Sequence, residues 1–322
     1  MKTALIFGIT GMDGYHLTKL LLSKGYKVHG VVRRHSQPDI GNLVYLLPDE
    51  DKNVQLYYGD ITDASIVYRV IAELQPNEIY NFAAQSHVKI SWENPNITHE
   101  INTGGTLNIL NAMRLASPKS RLYFAGSSEQ FGNSKDEKQN EGTPFNPQSP
   151  YAISKVAAFN YVKNYRESHK LYACSGIAYN HESGFRGLEF VTRKISHVVA
   201  LIKKGLATQL PLGNIESKRD WGFSGDYVEA MWLMLQQDAP DDYIIGTGKT
   251  HSIKEFLKIA FDHVGLKWQD YVVIDDNFKR PVDIHSLCAD AGKIKDKLGW
   301  EAKVGFEELV KMMVDADMER RR

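Results

Sequence analysis

An excess of either charge is what this chain lacks: lysine plus arginine and aspartate plus glutamate each number 39 in 322 residues. That balance removes the overall field by which binders of nucleic acid, polyanions or anionic membranes gather their partners, so an acidic ligand has to be held locally. Cysteine is scarce. Cys174 and Cys288 are the two, both in apolar or mixed segments, which points to reduced, buried thiols and a cytoplasmic setting rather than a disulfide framework. No apolar run reaches signal or spanning length; the first, Ala4-Leu5-Ile6-Phe7, is cut by glycines 8, 11 and 14. The 11 histidines are scattered, without HExxH or a Cys/His cluster of zinc spacing, so no catalytic metal is expected. Internal repeats and low-complexity tracts are missing too.

What is present begins with that apolar run, followed by Gly8-Ile9-Thr10-Gly11-Met12-Asp13-Gly14 and leucines at helical spacing over residues 15–22. The order strand, glycine turn, helix lets backbone approach a pyrophosphate at the helix N-terminus, and dinucleotide binding is the expectation. A second strand, Lys27 to Val32, ends in Arg33-Arg34. An NAD site would place an acid about there, whereas guanidinium groups suit a 2′-phosphate; NADP is expected, a solvated basic loop being the bland alternative. A third strand, Val54 to Tyr58, leads to Asp60 and Ile61, where Asp60 either accepts from an adenine amino group or caps the next helix. The fourth, Glu78 to Phe82, delivers Ala83, Ala84 and Ser86, small enough for close approach of a cofactor.

A fifth strand, Ser120 to Phe124, carries Ser127, Ser128 and Glu129 to the same edge. A long irregular loop, 132–150, reads as a wall of the site. Tyr151 and Lys155 follow at i and i+4, which sets a phenol and an ammonium on one helix face. A sixth strand, Tyr172 to Tyr179, runs into Asn180-His181. Repeated βα units predict an α/β fold with a doubly wound, Rossmann-type parallel sheet. After residue 183 the alternation loosens; Arg219-Asp220-Trp221-Gly222 and Arg280-Pro281-Val282-Asp283 read as polar, turn-rich segments, and Tyr243 to Gly246 as a strand able to rejoin the sheet. Residues 1–180 are therefore expected to form the dinucleotide-binding domain, with 219–248 returning to it, and 181–218 plus 249–322 a smaller, partly interleaved substrate domain.

On GITGMDG, EIYNFAAQSHVKIS, SPYAISK, NHES, FVTRKI and RDWGFSGDYVEAMWLMLQQD, the chain resembles the GDP-mannose 4,6-dehydratase family of the extended short-chain dehydrogenase/reductases over essentially its whole length. The resemblance implies a nucleotide-sugar dehydratase with Ser127, Glu129, Tyr151 and Lys155 as its catalytic set. Lys155 would lower the pKa of Tyr151, the phenol would take a sugar hydroxyl proton, and Glu129 would take a carbon-bound proton during loss of water. It further implies His181 and Arg186 at the NADP site, and Ser86, Ser128, Asn180, Val191, Lys194, Gly213, Arg219 and Arg280 around a GDP-sugar, GDP-mannose being favoured over a GDP-heptose. A homodimer or homotetramer is implied as well. The chain departs from the family's usual residues at Met12, Ser127, Phe185 and Phe223, where glutamine, threonine, arginine and histidine are common.

Overall fold

A computed structural model describes residues 1–34, 36, 40–46, 51–275, 277, 284 and 286–320, with the side chain of Asp51 outside that description. Twelve strands are described: β1 (Thr3–Phe7), β2 (Lys27–Val32), β3 (Val54–Tyr58), β4 (Glu78–Asn81), β5 (Arg121–Ser127), β6 (Tyr172–Ala178), β7 (Asn180–Glu182), β8 (Leu210–Leu212), β9 (Lys218–Phe223), β10 (Tyr243–Ile245), β11 (Thr250–Ser252) and β12 (Val272–Ile274). Helices α1 (Met12–Ser23), α2 (Ala64–Leu74), α3 (Val88–Glu93), α4 (Pro95–His99), α5 (Gly105–Ala116), α6 (Pro150–His169), α7 (Val191–Lys203), α8 (Ser224–Met234), α9 (Ile253–His263), α10 (Gly292–Leu298) and α11 (Phe306–Glu319) connect and cover them.

Seven strands form one sheet in the order β10-β6-β5-β4-β1-β2-β3, every neighbouring pair parallel. Parallel strands need covering on both faces, and β1 shows how the sequence meets that need. Ala4 and Ile6 point into a core shared with α1 and α8, while Leu5 and Phe7 point into one shared with α2, α5 and α6. All four are fully or almost fully buried, each large apolar side chain contributing about 1.5–3 kcal/mol. The strand order reverses between β1 and β4, the crevice where ligands of open α/β sheets bind.

A third core joins α7, α9 and α11 to β8 and β9 through Ile195, Val199, Leu212, Trp221, Phe256, Phe261 and Met313. The segment 219–222 is not turn-rich, as its polarity suggested. It lies in β9, which pairs with β7 in parallel and β11 antiparallel. Its polar residues are buried but satisfied: Asp220 accepts from the backbone N–H groups of Thr247, Gly248 and Ala289 and from the Thr247 hydroxyl. Arg219 donates to the carbonyls of Lys218 and Ile284. Strand β10 joins the large sheet beside β6. In the loop after β5, Gln139 bridges to residue 289 and exchanges backbone hydrogen bonds with 288 and 290, so that loop is stapled to the C-terminal third. No helix among the described residues is long and apolar enough to cross a membrane.

Candidate active site

The glycine turn sits at the switch point. Gly8 has φ +83°, and a Cβ there would stand 2.7 Å from the backbone nitrogen of Ala83, so the chain just after β4 abuts the turn because Gly8 has no side chain. At Gly14 a Cβ would stand 2.3 Å from the carbonyl oxygen of Ile9, so only glycine lets α1 pack this close to the turn. Gly11 is the N-cap of α1 and supplies no capping side chain, and a Cβ there would make one ordinary contact, with the Gly8 carbonyl. An open, uncapped helix N-terminus beside small residues fits the pyrophosphate of a dinucleotide. Thr10 holds the next segment by accepting from Asn42 N–H at 3.1 Å, and Met12 is buried under the first turn.

Tyr151 is fixed by local sequence. Ser149 caps α6 by accepting from Ala152 N–H at 3.1 Å, and Pro150 occupies the first helical turn, so the phenol projects from the helix start at the sheet's carboxyl edge. Ser127 ends β5, and its hydroxyl, close enough to the Tyr151 phenol to favour the phenolate, accepts from Glu129 N–H at 3.3 Å. Burial pushes Tyr151 up to about 12; the Ser127 hydroxyl opposes this and the Glu129 charge adds to it. Lys155 lies beneath the same phenol. Its ammonium, 5.9 Å from the Tyr151 ring centre, is bound to the Ala125 carbonyl at 2.8 Å. Burial pushes Lys155 itself down to about 8. The four residues are therefore together, around a phenol that burial keeps protonated.

Two acid–base pairs flank this group. Asp13 Oδ2 lies 2.9 Å from His181 Nε2, and Asp13 Oδ1 accepts from Ser224 Oγ at 2.7 Å. Burial would raise Asp13, but His181 and Ser224 bring it to about 2, and the same carboxylate raises His181 against its burial. Arg186 Nε stands 3.2 Å from Glu182 Oε2, its guanidinium over the Phe190 ring at 3.6 Å. Phe185, where the family often has arginine, packs on Tyr15 with ring centres 4.0 Å apart.

Other sequence-predicted residues fall around this centre with varied employment. Arg33 is exposed at the end of β2. Asp60 does not cap α2; its carboxylate takes Thr62 N–H and O–H at 2.9 and 2.8 Å, and Asp63 is the cap. Ile61 is buried, Ala84 half-buried and Ser86 exposed. Ser128 is buried in the turn after β5, Asn180 opens β7, Val191 opens α7 and Gly213 follows β8. Lys194 donates to the Pro211 carbonyl at 2.6 Å. Arg280 lies outside the described residues.

Sequence reasoning missed the brace behind Tyr151. Asn102 accepts from Gln85 N–H at 2.9 Å and donates to Gln85 O at 3.1 Å and Ser154 Oγ at 2.9 Å, tying the loop after β4 to α6. Asn102 lies in a π-helical turn, Glu100–Gly104, a distortion frequent at functional sites. Nothing in an asparagine within a helical run marks it. Gln130 was missed as well; its side chain accepts Ser127 N–H at 2.8 Å and fixes the strand end. A cleft of 1350 Å³ bordered by Trp221, His251, Lys295 and Phe306 touches none of the predicted site residues, and the chemistry is assigned to the sheet edge instead.

The family model for GDP-mannose 4,6 dehydratase matches residues 5–313. The GDP-mannose 4,6 dehydratase 1 of Arabidopsis thaliana is 52% identical over 326 residues, covering 99% of this chain and 90% of its own. Among solved structures, the UDP-glucose 4-epimerase of Thermus thermophilus in complex with NAD superposes with TM-score 0.85 at 28% identity, over 98% of this chain and 99% of that one. A dTDP-glucose 4,6-dehydratase from Streptomyces venezuelae with NAD bound gives TM-score 0.84 at 26% identity, over 98% and 96%.

Proposed function

The chain belongs to the GDP-mannose 4,6-dehydratase family of the extended short-chain dehydrogenase/reductases, and from that premise we propose that it converts GDP-mannose to GDP-4-keto-6-deoxy-mannose and water, a step of deoxysugar biosynthesis. The observation that carries the reading is that the Glu129 charge and the Ser127 hydroxyl both act on the Tyr151 phenol at the carboxyl edge of the sheet, with Glu129 N–H bound to Ser127 Oγ. Oxidation alone needs the hydroxyl and phenol. Elimination of water needs a further base.

A nicotinamide dinucleotide, when bound, supplies the acceptor and later the donor of one hydride and a positive charge near the phenol. Tyr151 takes the proton of the sugar 4-hydroxyl as C4 is oxidised, and Ser127 holds that oxygen in reach. The 4-ketone acidifies the C5 proton, which Glu129 removes and passes to the departing C6 hydroxyl. Tyr151 returns its proton to C5 as C6 is reduced. One proton and one hydroxide leave the sugar, and nothing is consumed. Lys155, still largely protonated at neutral pH with its pKa near 8, supplies N–H donors and charge beneath the phenol.

Gly8, Gly11, Gly14 and the small residues Ala83 and Ala84 would hold the dinucleotide. Arg33, exposed where an acid would read a ribose hydroxyl, supports NADP over NAD. Lys194, Arg219 and Arg280 are the cations proposed for the GDP-sugar, with Asn180, Val191, Gly213, Ser86 and Ser128 beside them. We read 181–218 and 249–322 as the substrate-binding part, cytoplasmic residence from two free, buried thiols, and a homodimer or homotetramer from the family. The test is incubation of purified protein with GDP-mannose, water loss being followed by mass spectrometry. Absence of a 4-keto-6-deoxy product refutes the reading. Glu129→Gln is expected to show cofactor reduction without elimination, and full dehydration by that variant removes Glu129 from the mechanism.

A further inference from the structure

Glu129 stands on one short 3-10 turn, Ser128–Phe131, that leaves the end of β5. Hydrogen bonds within such a turn have poor geometry, so something else has to aim the carboxylate. The run Ser127-Ser128-Glu129-Gln130 supplies it in the form of a capping box. Gln130 Oε1 accepts the Ser127 N–H at 2.8 Å, and Ser127 Oγ accepts the Glu129 N–H at 3.3 Å. The two bonds make a relay from the amide to the strand end, and from the strand end to the residue that bears the carboxylate.

Three features set Gln130 apart from an ordinary cap. Glutamine is mostly a surface residue, yet Gln130 is fully buried. Its Nε2 has no hydrogen-bond partner among the described residues, so an apolar side chain of the same size would suit the place better for stability alone. Space is kept for it as well, since a Cβ at Gly126 would stand 3.0 Å from Gln130 Oε1. A glutamate would serve the box equally well, but it would add a second carboxylate next to Glu129, whose charge already holds the Tyr151 phenol up. An uncharged acceptor avoids that.

The relay matters more to Glu129 than to Ser127. Ser127 is also held by the sheet, opposite Ala178 in the register of β5 with β6, whereas Glu129 lies beyond the strand. The far end of the turn is pinned separately, by Asn146 N–H on the Gln130 carbonyl at 2.9 Å and by Phe131 against Phe145 with ring centres 5.4 Å apart. We propose that Gln130 is a positioning residue for Glu129: its neutral carboxamide, acting through Ser127, aims the carboxylate that takes the carbon-bound proton and so keeps elimination in step with oxidation. The inference rests on the dehydration reading of the site.

The experiment compares the full chain with Gln130→Met, Gln130→Leu and Gln130→Glu in two measurements. In the ligand-free proteins, hydrogen exchange followed by mass spectrometry reads the peptide over residues 127–131. Methionine and leucine remove the acceptor and should speed its exchange about five- to tenfold, the effect of one hydrogen bond, while glutamate should leave it within about twofold. With GDP-mannose, the near-ultraviolet absorbance of reduced nicotinamide is followed beside product formation. In the apolar variants kcat should fall about ten- to a hundredfold with KM within about twofold, and reduced cofactor should build up during turnover, because a misplaced Glu129 delays elimination after oxidation has occurred. Gln130→Glu should turn over slowly without that build-up, since its charge opposes ionisation of the phenol and slows oxidation instead. Unchanged exchange in the apolar variants, or lost turnover with no reduced cofactor, overturns the proposal. If only one apolar variant folds, it decides; if neither folds, the amide is structural and the proposal falls. If the unmutated chain gives no 4-keto-6-deoxy product, it is the dehydration reading that fails, and the proposal with it, whatever the exchange shows.

Discussion

Replacing Lys155 by methionine should make the ligand-free protein more stable while abolishing its activity. Lys155 is 3% exposed, and burial carries its pKa from the ordinary 10.5 to about 8. At about 1.4 kcal/mol per tenfold change in proton affinity, holding the charged amine inside costs the fold about 3 kcal/mol at pH 7. Its bond to the Ala125 carbonyl, 2.8 Å long, returns part of that, about 1 kcal/mol for a hydrogen bond of this kind. Methionine keeps the stem and removes the charge, so a net gain of about 2 kcal/mol is expected.

The sign of the pH dependence follows from which state holds the proton. Between about 8 and 10.5 the unfolded lysine is protonated and the folded one is not, so the unmutated protein gains stability as pH rises through that window. The advantage of Lys155→Met should thus be full below pH 8 and shrink to under about 1 kcal/mol by pH 10. Urea unfolding of both proteins from pH 6 to 10, beside a dehydration assay, measures each part. A variant less stable at pH 7, or a gain that does not shrink with pH, would refute the claim that buried charge at Lys155 is held at the expense of stability. Retained turnover would refute its role at the site.

Two more outcomes follow from packing. Asp317 is fully buried and takes Arg193 Nε at 2.8 Å, Arg193 NH2 at 2.6 Å and Ser196 Oγ at 2.7 Å, so Asp317→Ala strands the guanidinium and should cost about 3–5 kcal/mol in urea unfolding. Asp315→Ala, two residues away in an exposed pair with His263, should cost under about 1 kcal/mol, and equal losses would remove the argument from burial. Gly8→Ala should cost at least 2–3 kcal/mol more, roughly, than Gly25→Ala, because both have positive φ but only the first would set a Cβ 2.7 Å from backbone. Comparable thermal shifts in the two variants would show that the turn can yield.

The parallel sheet was legible because its code is local. Apolar runs of strand length alternate with helical spacing, and Ala4, Leu5, Ile6 and Phe7 are apolar on both faces as a doubly covered strand requires. Strand β9 was not legible, because an Arg-Asp pair in a strand makes sense only with partners supplied by residues 247, 248, 284 and 289. Asn102 was hidden for the same reason; its partners at 85 and 154 are distant in sequence.

At the site, spacing gave identity but not electrostatics. Tyr151 and Lys155 are set on one face by i and i+4, and Ser149-Pro150 fixes where that face begins. Their charge states depend on burial, which no spacing encodes, and burial moves both toward neutrality: the phenol up, the amine down. The same holds for Asp13, whose place among the glycines gave no sign of its partner His181, 168 residues on. Neutral Tyr151 beside reluctantly charged Lys155 is, on the proposed reading, a site at rest, in which proton transfer waits on the positive charge of an oxidised nicotinamide ring. In the proposed reaction the fold would thereby couple oxidation to occupancy, the phenol becoming a competent base when the nicotinamide charge is there to receive what the sugar gives up.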